Sequence, residues 1–375
     1  MDFRPINFVI ALVFIAAIVT SCGDNRSAQE TGNIAQSLSG YDISGFKRVQ
    51  MPREFKFPQD LGPHPEYQTE WWYYTGNLTN DSSGRDFGYQ LTFFRRALSS
   101  YEVDRESKWA SNQIYFAHFT LSDIENGEFY SSERWSRGAL GLAGAETMPF
   151  RVWIDNWSIE GEGDNFKLKA NDGPVSIELT MKSMKPIVLQ GDKGLSQKSG
   201  EPGNASYYFS QTRIDTSGSI LIDGSEFIVR GLSWLDREWS TSALGENQEG
   251  WDWFSIQLND GREIMLYQLR LKDGGIDPFS SGSIVNKNGD LTPLKAADFE
   301  IEVLDIWKSS KTGIDYPSKW RIFIPKHDIE LNVVPLLQDQ ELLHSFIYWE
   351  GAVKISGEGF SGKGYVELTG YDSKD

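Results

Sequence analysis

The stretch that decides the fold is VSIELTMK, residues 175–182, in which apolar and polar side chains alternate without a break. Successive side chains of an extended chain point to opposite faces, so this alternation predicts a β-strand with one buried and one wetter face. The same pattern recurs at 87–93 and 329–333, whereas convincing helical faces are rare. Strands of this kind are typical of antiparallel sheets, and we therefore predict an all-β protein.

Turn signals separate the strand-like runs at short intervals. They are Ser217-Gly218, Asp223-Gly224, Asn259-Asp260-Gly261 and Asn288-Gly289. Such pairs favour tight hairpins, and their recurrence without a βαβ rhythm indicates sandwiches or barrels. The chain has 375 residues, which is long enough for two domains. We place these domains at 48–232 and 233–372.

The N-terminus indicates export. The apolar run 8–19 is too short to span a bilayer as a resident helix but suits the core of a signal peptide. It ends in Val19-Thr20-Ser21-Cys22, the kind of pattern that lipoprotein signal peptidase reads, and Cys22 is the only cysteine. We predict a signal peptide at 1–21, lipidation of Cys22 and a flexible tether at 22–47. The protein would then be periplasm-facing and membrane-anchored, with the outer membrane preferred; the alternative is an ordinary secretory peptide with an incidental cysteine.

Composition argues against several classes of function. A formal net charge of −17 disfavours binding to nucleic acid and electrostatic attachment to anionic lipid. Once Cys22 is lipidated no thiol remains, and the four histidines are scattered, so we expect no metal site. No nucleotide-binding loop is present in the sequence, and we expect no other cofactor. By contrast, 13 Trp and 13% aromatic residues favour a cavity for an apolar ligand.

Two segments, 70–76 and 251–257, carry aromatic residues on both faces. A strand of this kind is either covered on both sides or lines a cavity on one of them. We therefore predict that aromatic residues of these and neighbouring strands bind the ligand. The predicted ligand-binding residues are Trp71, Trp72, Tyr89, Trp239, Trp251, Trp253 and Tyr267.

Two candidates for proton transfer lie in the first half of the chain. Glu70 stands beside two Trp residues, and an apolar wall raises the pKa of a carboxyl group. The alternative is that Glu70 satisfies Arg or backbone groups at the start of a strand, and His64 before it is assigned to a surface loop. His118 lies in the middle of a strand, where it is either a proton-transfer group or a satisfied core residue.

The strongest polar constellation is Asp236-Arg237-Glu238. Residues two apart on a strand point the same way, so the two carboxyl groups share a face and Arg237 lies on the other. One carboxyl could stay protonated beside its neighbour and act as an acid. The alternative is a structural network of ion pairs between domains. We favour this structural role for Asp236, with Glu70 and His118 nearer the pocket.

Residues 64–78, which read HPEYQTEWWYYTGNL, carry a family resemblance. Further matching blocks are GYQLTFFR (88–95), AHFTLSD (117–123), WLDREWS (234–240), GWDWF (250–254), YWEGAV (348–353) and GYVELTGY (364–371). On these blocks the chain resembles the lipocalin-like family that contains the bacterial carotenoid hydratases (hydroxyneurosporene synthases) and the AttH-type secreted proteins, and it is closer to the AttH-type branch. The resemblance runs from about Phe57 to Tyr371 and implies two lipocalin-like antiparallel β-barrels in tandem.

The resemblance implies a pocket but does not settle a reaction. In the hydratases, the acid that protonates the terminal double bond follows a Tyr by two positions; if Tyr267 corresponds to that Tyr, Leu269 takes the place of the acid. AttH-type proteins commonly accompany ABC-transporter components. We therefore prefer a membrane-anchored carrier that holds an apolar, lipid- or isoprenoid-like ligand in a barrel and works with such a transporter. The alternative is a hydratase- or cyclase-type enzyme with an isoprenoid- or polyketide-like substrate, which would need a carboxyl group or a His facing the pocket.

Overall fold

The computed structural model of this protein describes residues 43–101, 106–242 and 244–372. The predicted signal peptide, Cys22 and most of the predicted tether lie outside the described residues. Within the described residues, no helix is both long and apolar enough to cross a membrane. Helix in these ranges is limited to three short 3-10 segments, at Gln59–Leu61, Ala296–Asp298 and Pro325–His327.

The first sheet has thirteen antiparallel strands within the described part of the chain and curls into a near-barrel. The strands are β1 (Thr69–Asn80), β2 (Asp86–Ala97), β3 (Gln113–Asp123), β4 (Glu128–Arg137), β5 (Ala143–Thr147), β6 (Phe150–Ile154), β7 (Trp157–Glu162), β8 (Asn165–Asp172), β9 (Val175–Ser183), β10 (Val188–Leu189), β11 (Leu195–Gln197), β12 (Ala205–Ile222) and β13 (Ser225–Ser240). Their order is β4-β3-β2-β1-β13-β12-β9-β8-β7-β6-β5, with β10 and β11 paired to β12. The inner face of this sheet buries a continuous apolar core.

The second sheet has ten antiparallel strands, again counted over the described ranges, and forms a half-barrel. The strands are β14 (Gln248–Leu258), β15 (Glu263–Leu271), β16 (Ser281–Val285), β17 (Leu291–Lys295), β18 (Glu300–Lys308), β19 (Asp315–Ile324), β20 (Ile329–Pro335), β21 (Glu341–Leu343), β22 (Ile347–Gly357) and β23 (Phe360–Leu368). Their order is β17-β16-β15-β14-β23-β22-β20-β19-β18, with β21 paired to β22. A separate apolar core fills its inner face.

The alternation at 175–182 has the predicted consequence. Val175, Ile177, Leu179 and Met181 of β9 are buried in the core of the first sheet, whereas the polar residues between them are more exposed. The predicted turn at Asp223-Gly224 joins β12 to β13, and both residues have the positive φ angles, 50° and 80°, that a tight hairpin requires. The all-β, tandem lipocalin-like prediction is confirmed.

The change of sheet comes later in the chain than the 232/233 boundary that we placed from the sequence. Strand β13 continues through this point to Ser240, and the next strand begins at Gln248 in the second sheet. Backbone pairing extends β13 because both neighbours continue beside it: Asp236 lies opposite Tyr73 of β1 and Ser210 of β12. The carboxyl groups of Asp236 and Glu238 therefore belong to the first sheet.

The two sheets pack against each other through the outer face of the first. Tyr73 and Trp234 of the first sheet cluster there with Trp253 of the second. Polar side chains also bridge the contact; for example, the Asn77 Nδ2 atom donates to the Gly364 carbonyl at 3.0 Å. Since its inner face packs on a core and its outer face on the other sheet, β1 is covered on both sides, which explains its aromatic residues on both faces.

Candidate functional site

An apolar pocket with several charged groups lies between the two sheets. It is lined by Trp71, Tyr73, Phe94, Lys198, Tyr208, Asp236, Glu238, Ser242, Trp251, Trp253, Tyr267, Leu269 and Glu367. Apart from Lys198 and Ser242, which lie between strands, these residues come from β1, β2, β12 and β13 of the first sheet and from β14, β15 and β23 of the second. We had predicted a ligand inside a barrel, but the barrel interior is filled by its own side chains.

Strand alternation divides the predicted ligand-binding residues between this pocket and the barrel core. Trp71 lies on the outer face of β1 and lines the pocket. Three residues of the second sheet also line it: Trp251, Trp253 and Tyr267. Trp72 points inward and donates its Nε1 hydrogen to the Leu61 carbonyl at 2.8 Å. The other two lie in the same inner core: Tyr89 hydrogen-bonds to Ser233, and Trp239 stacks on His64 with ring centroids 3.8 Å apart.

Asp236 is the most firmly held acid of the pocket. Its carboxylate accepts hydrogen bonds from Ser210 Oγ at 2.6 Å, from Trp234 Nε1 at 2.7 Å and from the Tyr208 hydroxyl. These donors favour the ionised form, but burial outweighs them and, with the nearby charge of Glu238, raises the pKa of Asp236 to about 7. The group is therefore poised to exchange a proton near neutral pH.

Glu367 of β23 is a second acid with a perturbed pKa, and sequence reasoning did not single it out. Its Oε1 atom accepts a hydrogen bond from Trp251 Nε1 at 2.6 Å. Burial raises the pKa of Glu367 to about 7, and the charges of Asp236 and Glu238 add to the effect. The available signal was the alternation of GYVELTGY, which places the carboxyl of Glu367 on the same strand face as Tyr365 and opposite Val366 and Leu368.

Glu238 differs from the other two acids because it has a cationic partner. Lys198 Nζ lies 3.0 Å from Glu238 Oε1, and it also lies over the ring of Tyr267, 4.5 Å from the centroid. Burial opposes the charge on Lys198, but Glu238, Tyr267 and Asp236 together outweigh it, and the pKa of Lys198 is raised. Lys198 follows β11 in a polar segment whose sequence gives no sign of this contact.

Asp236, Arg237 and Glu238 do not form the network of ion pairs that we favoured from the sequence. As alternation requires, Arg237 points to the inner face, where its guanidinium binds Glu70 and lies over the ring of Trp72 at 4.0 Å. The structure thus places Asp236 in the pocket lining, and neither Glu70 nor His118 is part of that lining.

Glu70 lies at the inner face of β1, within a cluster of ionised groups. It forms ion pairs with Arg95 and Arg237 and accepts the backbone N–H of His64. Burial alone would raise the pKa of Glu70, but the two guanidinium groups hold it well below its usual range. A carboxyl in this state does not donate protons at neutral pH. His64, which we assigned to a surface loop, is buried here and contacts Asp60 at 3.0 Å.

His118 is fully buried at the contact between the two sheets. Its Nδ1 atom lies 2.7 Å from the Tyr348 hydroxyl, and its Nε2 atom lies 3.0 Å from Glu133 Oε1. Both ring nitrogens therefore have partners, as expected for a satisfied buried histidine. Its ring lies 5.7 Å, centroid to centroid, from that of Phe94, which lines the pocket.

These features define a class of protein: a pair of lipocalin-like barrels with an aromatic, acid-bearing pocket between them. Residues 48–371 match the sequence model of the AttH-like family, and the chain belongs to that family. A crystal structure of a Nitrosomonas europaea protein assigned as AttH superimposes with a TM-score of 0.79 at 33% identity, covering 87% of this chain and 100% of that one.

Two fungal proteins show more distant similarity, one in fold and one in sequence. Kievitone hydratase from Nectria haematococca has the same fold, with a TM-score of 0.64 at 15% identity over 88% of this chain and 98% of that one. Dehydratase asqC of Emericella nidulans is 21% identical over an alignment of 236 residues, which covers 56% of this chain. That alignment spans 65% of the fungal protein, slightly less than two thirds of its length.

Proposed function

We propose that this protein is an acid–base enzyme that removes water from, or adds water to, an apolar substrate held between its barrels. The observation that carries the proposal is the pair Asp236 and Glu367, both with a pKa raised to about 7 inside an aromatic pocket. Burial raises both pKa values, and the charge of Asp236 adds to the effect on Glu367, so the two groups together hold about one proton near neutral pH. Such a pair supplies an acid and a base in one site.

The hydrogen bonds of the two groups suggest which one carries the proton. Asp236 accepts three hydrogen bonds, which stabilise its carboxylate, whereas Glu367 accepts one from Trp251. We therefore assign the acid to Glu367 and the base to Asp236. In dehydration, Glu367 gives its proton to the leaving hydroxyl, the C–O bond breaks and water departs. Asp236 takes the proton from the adjacent carbon, and the electrons of that C–H bond form the double bond; hydration is the reverse.

The pocket walls suit an apolar substrate. Trp71, Trp251 and Trp253 line the pocket, and aromatic rings stabilise positive charge that develops at carbon when the hydroxyl leaves. The third acidic side chain of the lining, Glu238, is paired with Lys198, so we assign it no part in the proton transfer. The activities in the names of the fungal hydratase and dehydratase support this reading. We infer an isoprenoid- or polyketide-like substrate with a hydroxyl group or an alkene.

The proposal is tested with an apolar extract of the host organism, incubated with purified protein in D2O and examined by mass spectrometry. We expect one component to change by the mass of one water and, in the hydration direction, to gain deuterium on carbon. Glu367→Gln should abolish this change. Asp252→Asn is the matched control, because Asp252 is a buried carboxyl next to Trp251 but on the opposite face of β14, paired with Arg270.

Two outcomes would contradict the proposal. One is conversion by Glu367→Gln at the rate of the unaltered protein. The other is recovery of a bound component with no change in its mass, which would identify a carrier instead. The suggested ABC-transporter partner stays a prediction.

We also propose that Cys22 is lipidated and holds the enzyme at a membrane surface. Each buried methylene contributes about 0.8 kcal/mol, so several acyl chains anchor a protein effectively permanently. Mass spectrometry of the mature N-terminus should find acyl mass on Cys22, and Cys22→Ser should move the protein from the membrane to the soluble fraction. A Cys22→Ser protein that still sediments with membranes would show that the anchor lies elsewhere.

A further inference from the structure

Lys198 is the only cationic side chain in the lining of the pocket, counted over the described residues, and it takes no part in the proton transfer proposed above. Its side chain retains 12% of its exposure. The Nζ atom lies 3.0 Å from Glu238 Oε1, 4.5 Å from the ring centroid of Tyr267 and 5.5 Å from that of Tyr208. An ammonium group has three N–H donors, and among the described residues only Glu238 offers Lys198 an acceptor. Two donors are therefore available to a ligand in the pocket.

A second buried lysine, Lys185, shows how an ammonium group with a structural role is satisfied in this protein. Lys185 lies outside the pocket lining, and its side chain retains 6% of its exposure. Its Nζ atom donates to Glu263 at 2.6 Å and to the carbonyls of Gly261 and Asn286 at 2.7 and 2.8 Å, so all three donors are used. Burial of unused donors costs free energy. Neutralising Glu238 therefore explains the charge of Lys198 but not its two unused donors.

Hydrogen bonds fix the main chain on both sides of the Lys198 side chain. The Lys198 N–H donates to the Asn204 carbonyl at 3.0 Å, and Gln248 Nε2 donates to the Lys198 carbonyl at 2.6 Å. Gln248 begins β14 and also donates to Asp277 Oδ2 at 2.8 Å, which ties this segment to the second sheet. The ammonium group is thus held at the pocket independently of any ligand, and binding need not order it.

The ammonium group lies on the same side of the pocket as the proposed base. Its partner Glu238 and the base Asp236 are two residues apart on one face of β13, which is about 7 Å along a strand. The ring of Tyr208 lies beside Lys198, and the hydroxyl of the same ring donates to Asp236. A small ligand that accepts a hydrogen bond from Lys198 therefore places its neighbouring carbon atoms towards Asp236.

The charges of the lining favour a neutral acceptor over an anion. Lys198 balances Glu238, whereas Asp236 and Glu367 together hold about one proton near neutral pH, so an excess of about one negative charge remains. A carboxylate or phosphate would add negative charge at close range to these groups. A carbonyl oxygen accepts the same hydrogen bond without adding charge, and it is the group that fits the two free donors.

We propose that the substrate carries a carbonyl group whose oxygen accepts a hydrogen bond from Lys198. The inference rests on the proposed function and narrows its substrate to a ketone with a hydroxyl group on the β-carbon or, in the hydration direction, to the corresponding α,β-unsaturated ketone. Such a substrate is polyketide-like rather than an isoprenoid hydrocarbon.

The carbonyl group places the steps of the reaction on particular atoms. Asp236 takes the proton from the α-carbon, the electrons of that C–H bond form the double bond to the β-carbon, and the C–O bond breaks as Glu367 protonates the leaving hydroxyl. Lys198 keeps its own protons throughout. Its charge draws electrons towards the carbonyl oxygen, which makes the α-proton more acidic and lessens the positive charge at the β-carbon.

Fluorine NMR titration with three probes of similar size tests the proposal without turnover. The probes are para-fluoroacetophenone, its hydrocarbon analogue para-fluoroethylbenzene, and para-fluorobenzoate. Adding Lys198→Met to Glu238→Gln should lower the ratio of ketone affinity to hydrocarbon affinity about tenfold or more, the usual contribution of a hydrogen bond from a charged donor. This comparison removes the lysine without stranding a carboxylate. Lys185→Met is the matched control and should leave the ratio unchanged, and thermal melts establish that each variant is folded.

The unaltered protein should also bind the ketone more tightly than the benzoate. An equal ratio of ketone to hydrocarbon affinity with and without Lys198 would overturn the proposal. Tighter binding of the benzoate than of the ketone would overturn it too, because the lysine would then serve an acidic ligand.

Infrared spectroscopy of the bound ketone gives a reading that needs no variant. A hydrogen bond from an ammonium group lowers the carbonyl stretching frequency, so we expect the band below its position in an apolar solvent; a band at the apolar-solvent position would contradict the proposal. These binding measurements are distinct from the deuterium incorporation experiment with Glu367→Gln, which reports failure of the proposed function itself.

Discussion

Replacing Glu70 with Gln is expected to lower the free energy of unfolding by about 3–5 kcal/mol, the cost of removing one partner from a buried ion pair. The substitution leaves the guanidinium groups of Arg95 and Arg237 buried without their carboxylate, and neither can lose its charge. Urea denaturation measures the difference. Because the pKa of Glu70 lies well below its usual range, this stabilisation is present above the ordinary carboxyl pKa of about 4.5 and is lost as the pH falls towards the folded-state value.

The matched control for this prediction is Glu302→Gln. Glu302 also pairs with an arginine, Arg321, but both side chains are more than two-fifths exposed. Surface pairs of this kind contribute about 0–1 kcal/mol, so little change is expected. If Glu70→Gln is no more destabilising than Glu302→Gln, the buried cluster does not have the structural role that we assign to it.

Asp236→Asn is expected to lower turnover by about 10²–10⁴-fold, the usual contribution of a general base. The affinity of the pocket for an apolar dye such as Nile red, followed by quenching of tryptophan fluorescence, should stay nearly unchanged. A residue that acts on the transition state changes the rate without weakening ground-state binding. A folded Asp236→Asn protein with full turnover would remove Asp236 from the mechanism.

Asp236→Asn should also change the way in which the free energy of unfolding depends on pH. The pKa of Asp236 is about 7 in the folded protein against an ordinary value of 3.8. Between these two pH values, the folded state keeps a proton on Asp236 that the unfolded state has lost. Stability contributed by Asp236 is therefore present below about pH 4 and lost as the pH rises towards 7. Asp236→Asn should weaken this fall, and its stability relative to the unaltered protein should improve from pH 5 to pH 8. Chemical denaturation at the two pH values measures the change, and the opposite trend would contradict it.

Alternation predicts much of the fold because it is a local property of the chain. The period of two at 175–182 depends only on side chains pointing to opposite faces, and β9 has the expected buried residues. The same rule correctly places the side chain of Arg237 on the opposite face of β13 from those of Asp236 and Glu238. The end of β13 was not predictable in this way, because its length depends on pairing with β1 and β12, which are distant in sequence.

The candidate site was predictable only in part, for the same reason. The sequence by itself determined the strands, their two faces and the shared face of Asp236 and Glu238. Only the tertiary structure decided that the second sheet covers the outer face, which turns Trp71 towards a pocket and leaves Trp72 in a core. Glu367 and Lys198 join the site from strands and segments far along the chain. A carboxyl group acquires a raised pKa from burial and from charges brought near by folding, and neither is encoded in its immediate sequence neighbours.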